Sequence, residues 1–153
     1  MSQALSAGDL CTRNVVISHR DLAVNDAARL MREQHVGCLV VIDETAAGRI
    51  PVGLLTDRDI VTAVVARDVD ARTLRVEDVM TAGPVLARDT DSLFEAMNAM
   101  RRAGARRVPV VDERGALQGL LALDDVIEVV GEEMSLLVEV LTSARRREPE
   151  RRP

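Results

Sequence analysis

Residues 9–43 return as residues 78–112 at a constant shift of 69 positions. A chain that repeats itself in this way folds as two like units, each too small to stand alone. GDLCT at Gly8–Thr12 corresponds to EDVMT at Glu77–Thr81, and Val16 to Val85. Ala27, Met31 and Arg32 fall on Ala96, Met100 and Arg101, and Val41 and Asp43 on Val110 and Asp112. The first repeat then carries three extra residues in ETAAGRIPV, an insertion that a loop absorbs at little cost. Beyond it Gly53-Leu54-Leu55 matches Gly119-Leu120-Leu121, and Asp59 matches Asp125.

Each repeat reads as helix, strand, strand, helix, with a short extended piece in front at Val15–Ile17 or Val85–Leu86. Val24, Ala27, Ala28, Leu30 and Met31 share one helical face, with Gly37 as the expected stop. Leu39–Ile42 and Val52–Leu55 read as strands, and Asp57–Arg67 as the closing helix. In the second repeat Leu93, Ala96, Met97 and Met100 make the helical face behind a Ser92/Glu95 capping box, ending near Gly104. Strands follow at Val108–Val111 and Leu117–Leu121, then a helix from about Asp124. The expected fold is α/β (α+β): two β-α-β-β-α repeats packed about a pseudo-twofold axis, with the ligand site in the cleft between them. The divisions are 9–67 for the first repeat, 68–77 for a linker, 78–130 for the second repeat, 131–144 for a helical extension and 145–153 for a charged, disordered tail.

Composition removes several function classes. The chain is 47% hydrophobic and 29% charged, the balance of a globular protein, and its only aromatic residue is one Phe. Without aromatic platforms, and with a net charge of −5, nucleic-acid binding through Arg101, Arg102, Arg106 and Arg107 is disfavoured. Cys11 and Cys38, with His19 and His35, lack metal-ligand spacing, and both thiols are expected to be free. The sequence contains neither a signal layout nor a membrane-length apolar run, which reads as a cytoplasmic protein with no membrane partner.

The segment Gly53-Leu54-Leu55-Thr56-Asp57-Arg58-Asp59 runs from a strand directly into a helix. Such a junction offers backbone N–H groups and the positive end of a helix dipole to an anion, with Arg58 as a further charge. Thr56 supplies a hydroxyl, and Asp59 a carboxylate able to accept from vicinal ribose hydroxyls. The same pair has the spacing of a helix cap, and from spacing alone both roles stand.

The arrangement of MT before the first strand, an EA-type helix, VPVVD at Val108–Asp112 and LLTDRDI resembles the CBS (cystathionine beta-synthase-type) domain family from about Asp9 to Val130. The resemblance implies a stand-alone paired module that binds AMP, ATP, NAD or another adenosyl ligand between its repeats, with no cofactor required. By position it implies ribose contacts from Thr56 and Asp59, whereas the second repeat has Ala122 with Asp125. It places Gly37 and Cys38, and Arg106 and Arg107, near base and phosphate. The segments holding Val16 and Ile17, and Val85, close the opposite clefts. On this reading the cleft with the ribose pair has little positive charge, and the cleft with the arginines lacks a hydroxyl.

Val126, Val130, Met134, Leu137 and Leu141 form one apolar stripe along the last helix, which packs either on its own sheet or in a homodimer, with Gly131 as a bend. The chain has no nucleophile–base pair or phosphate-cradling loop, so it reads as a regulatory sensor rather than an enzyme, passing its signal to a separate effector protein. The alternative is an interaction protein whose clefts are empty and whose business is oligomerisation.

Overall fold

The duplication appears in three dimensions as two small sheets. Residues 4–147 are described by a computed structural model. In the first sheet β1 (Ile17–Ser18) runs parallel to β2 (Cys38–Thr45), which pairs antiparallel with β3 (Gly48–Thr56), and β3 with β4 (Thr81–Ala82). In the second, β5 (Ala87–Arg88) runs parallel to β6 (Arg107–Val111), which pairs antiparallel with β7 (Leu117–Ala122). Both hairpins carry a register shift at the same place, Val41/Ile42 and Val110/Val111.

Among the described residues there are six α-helices: α1 (Ala7–Leu10), α2 (Val24–Gln34), α3 (Asp57–Ala63), α4 (Val76–Val79), α5 (Leu93–Ala103) and α6 (Leu123–Arg147). The short helices α1 and α4 have too few residues for periodicity to reveal them. The segment expected as one helix over Asp57–Arg67 ends at Ala63 and tightens into a 3-10 turn at Val65–Arg67. Gly37 is not the stop of α2; His35 takes the left-handed position at φ 54°, as Gly104 does for α5 at φ 59°. The front strands sit slightly later than expected, at Ile17–Ser18 and Ala87–Arg88.

Each repeat lends its opening segment to the other. Ala7 and Cys11 are buried with Ala87, Ala96, Met100, Val108 and Leu121 of the second repeat, whereas Val76, Val79 and Met80 pack with Ala27, Met31, Leu39 and Leu55 of the first. The Thr12 amide donates to the Leu120 carbonyl at 2.9 Å, and Thr81 pairs with Leu54 in the matching place. Glycine is needed beneath both crossings. A Cβ at Gly53 would collide with Met80 Sδ, and one at Gly119 would lie 2.6 Å from the Thr12 carbonyl oxygen.

Only Val126 of α6 is buried; the helix passes without interruption through Gly131, and Val130, Met134, Leu137 and Leu141 are exposed. The stripe therefore does not fold back on its own sheet. Residues 145–147 belong to this helix, and the rest of the expected tail lies outside the described residues.

Candidate functional site: two clefts between the repeats

The β3–α3 junction is held by a reciprocal cap. The Asp59 amide donates to Thr56 Oγ1 at 3.1 Å, and the Thr56 amide donates to Asp59 Oδ2 at 2.9 Å. Capping and ligand contact are not exclusive, because the cap employs one carboxylate oxygen and leaves the threonine hydroxyl proton free to donate. Both residues line a cavity of about 440 Å³. Its other walls are Thr81, Gly83, Pro84 and Val85 from the opening of the second repeat, Arg102–Ala105 at the end of α5, and Arg107 at the start of β6.

The expected anion site at the first turn of α3 is not available. The Asp57 amide donates to the Gly37 carbonyl at 3.0 Å, the Arg58 amide to Asp57 Oδ1 at 2.8 Å, and the Asp59 amide to Thr56. With those donors satisfied, positive charge in this cleft comes from the side chains of Arg102 and Arg107. Arg58 is exposed and lies outside the cavity lining, because the first turn of α3 points it away from the wall that Thr56 and Asp59 form.

The matched cleft, about 260 Å³, is lined by Thr12, Asn14, Val15 and Val16, by His35–Cys38, by Leu120 and Ala122, and again by Arg107. The division of charge expected from the sequence is thereby corrected. The ribose pair shares its cleft with arginines, and Gly37 and Cys38 face Ala122, because the clefts combine opposite repeats. Arg107 borders both. Val16 lines the smaller cleft and Val85 the larger, but Ile17 lines neither, since it pairs with Val40 of β2 and faces the hollow beside α2. Arg106 is exposed and contributes only its carbonyl, which accepts from the Leu123 amide at 2.7 Å, the counterpart of the Gly37–Asp57 bond. Asp125 is absent from the lining, and Ala122 has no hydroxyl to accept from the Asp125 amide as Thr56 does from Asp59.

Cys38, opposite Thr56 in the β2–β3 ladder, is 7% exposed, and burial pushes its thiol up to about 11 despite nearby Arg107. It is a small buried hydrophobe and not a thiolate. Cys11 and Cys38 are both free. Arg102, Thr81 and Pro84 in one cleft, and Asn14, His35 and Leu120 in the other, are lining residues that no local motif marks. The 69-residue shift relates Asn14 to Gly83 and His35 to Gly104, and so carries that signal once one cleft is known. Among the described residues no group of His, Cys, Asp and Glu could hold a metal, and no helix is long and apolar enough to cross a membrane.

Two α/β repeats that exchange their opening segments and wall two matched clefts define a paired-repeat module. The chain belongs to the CBS domain family, whose model matches residues 7–66 and 76–132. It is 32% identical to the CBS domain-containing protein YhcV of Bacillus subtilis, over 79% of this chain and 82% of that protein. An uncharacterized protein of Methanopyrus kandleri is 28% identical over 83% of this chain, which spans 63% of that relative. An inosine-5'-monophosphate dehydrogenase of Korarchaeum cryptofilum is 35% identical, but the match covers 74% of this chain and only 22% of the enzyme. Among solved structures, a hexameric CBS-CP12 protein from bloom-forming cyanobacteria superposes with a TM-score of 0.72 at 28% identity, covering 82% of this chain and 67% of that one. A CBS domain pair in complex with 5'-methylthioadenosine and S-adenosyl-L-methionine shares the fold at a TM-score of 0.73 and 21% identity, covering 86% and 99%.

Proposed function

We propose that the chain is a regulatory sensor that binds an adenosine-containing ligand in the Thr56 cleft and signals by a shift in the packing of its repeats. One observation carries the reading: a cavity of about 440 Å³ sets a hydroxyl and a carboxylate, Thr56 and Asp59, on one repeat together with Arg107 on the other. The volume suits a nucleoside-sized ligand. Thr56 and Asp59 are the pair that ribose hydroxyls require, and the arginines the group that phosphate requires. Aliphatic walls, including Leu54 and Val85, are left to meet the base. The 5'-methylthioadenosine and S-adenosyl-L-methionine held by a CBS pair of the same fold support the choice of an adenosyl group.

Because the cleft is walled by both repeats, a ligand that favours one relative packing shifts the population toward it. The reading assigns no catalysis to the chain. It leaves the output to an effector protein in the cytoplasm. The small share of the dehydrogenase that the chain covers supports a module distinct from catalytic machinery.

The test is the ultraviolet spectrum of the purified protein, with mass spectrometry of what it releases on denaturation and thermal-shift titration with AMP, ATP and NAD. The chain has no Trp or Tyr, so a bound adenine stands out. The expected outcome is an adenine band, or a rise in Tm that grows with nucleotide concentration. A flat spectrum together with no shift for any of the three would overturn the reading and favour the interaction-protein alternative.

A further inference from the structure

Along α6 the apolar residues lose their cover once the helix leaves the second sheet. Val126 is 1% exposed, but Ile127, Val130, Met134, Leu137 and Leu141 are 59%, 42%, 57%, 59% and 61% exposed. Their alternating spacing of three and four residues, continued at Ala144, is the seam of a coiled coil. Val138 and Val140 flank the seam and widen it. A contiguous apolar strip of this kind marks an interface.

Charge along the same helix identifies the occupant. Its first half carries only acids, Asp124, Asp125, Glu128, Glu132 and Glu133, and its last turn carries Arg145, Arg146 and Arg147. We infer that α6 packs antiparallel along α6 of a second copy of this chain, about a two-fold axis between Met134 and Leu137. A parallel pair would set acids against acids and arginines against arginines. The antiparallel pair lays each arginine end over the partner's acidic end and opposes the two helix dipoles. One surface thus supplies both halves of a self-complementary contact, as a two-fold interface requires. Met134 then meets the partner's Leu137, Val130 the partner's Leu141, and Ile127 the partner's Ala144. The acid-rich half also argues against an anionic lipid surface as the occupant. This inference stands whether or not the clefts take a nucleotide.

Light scattering and cysteine cross-linking of the full chain test it. The wild type is expected at twice the chain mass. Leu137→Asp is expected to halve that mass with an unchanged far-ultraviolet circular dichroism spectrum, since Leu137 makes no buried contact within the chain. A chain carrying both Val130→Cys and Leu141→Cys should form interchain disulfides on mild oxidation at least about tenfold faster than Val130→Cys alone. Those two positions stand roughly 16 Å apart along one helix, too far to join within a chain. Native Cys11 and Cys38 are buried and do not compete. A monomeric wild type, an assembly that Leu137→Asp leaves intact, or equal cross-linking by Val130→Cys alone would each overturn the inference, the last by showing a parallel pair.

Discussion

The Thr56 cleft and the Ala122 cleft are built on one backbone plan and have diverged in their side chains. In each, a helix-start amide donates to the carbonyl of the residue before the inner strand or at its edge, Asp57 to Gly37 and Leu123 to Arg106. In each, the opening segment of the other repeat forms a wall. At matched positions, however, Thr56 faces its cleft where Ala122 faces the other, and Arg107 stands where the first repeat has buried Cys38. The smaller cavity also admits His35 in place of Gly104. Duplication preserved the main-chain hydrogen bonds, which any side chain tolerates, and released the groups that would meet a ligand. Arg107 complicates the contrast because it borders both cavities, so the second cleft has no arginine of its own among its lining residues.

The largest expected effect falls on Asp59. Asp59→Asn keeps an oxygen to accept from the Thr56 amide but removes the charge that vicinal hydroxyls would meet. Affinity for adenosine and AMP alike should fall by about 10- to 100-fold, the range for lost hydrogen bonds to a charged group. The Tm should hold within a few degrees. Isothermal titration decides the matter: unchanged affinity would leave Asp59 a helix cap only, and the two clefts would be equivalent in what they lack.

Arg107 tests the asymmetry in charge. Arg107→Ala should erase the advantage of AMP over adenosine, roughly tenfold for one exposed charge-assisted contact, while leaving adenosine affinity within about twofold. In the wild type a phosphate in one cleft engages the guanidinium that borders the other, so AMP should saturate at one equivalent per chain. Two equal and independent AMP sites would break the comparison, and a persistent preference for AMP in the variant would move the phosphate contact to Arg102.

Much of this frame was legible in the sequence because it rests on local patterns. The 69-residue shift, the strand and helix periodicities and the Thr56–Asp59 cap all concern neighbouring residues or their repetition. The exchange of α1 and α4 was not legible, since four-residue helices have no period; only Gly53 and Gly119, small where another backbone crosses, hinted at it. The loss of the α3 amides as an anion site depends on the Gly37 carbonyl, which tertiary register alone brings to Asp57. The pairing of Thr56 with Arg107 is hidden in the sequence for a related reason. Sequence groups residues by repeat, and the clefts group them across repeats.

The smallest expected effect is also the most direct test of divergence, because it asks whether one hydroxyl can be returned. Ala122 holds the position of Thr56, and Asp125 that of Asp59, so Ala122→Thr restores both members of a reciprocal cap at the start of α6. A restored cap contributes about 1 kcal/mol, equivalent to a rise in Tm of roughly 2–4 °C for a chain of this size. The new hydroxyl also faces the smaller cleft from the position that Thr56 holds in the larger one. Adenosine, which makes no demand on Arg107, should then bind with a stoichiometry above that of the wild type. A higher Tm without added binding would mean that the smaller cavity, crowded by His35 and Cys38, excludes the nucleoside by volume rather than for want of a ribose partner.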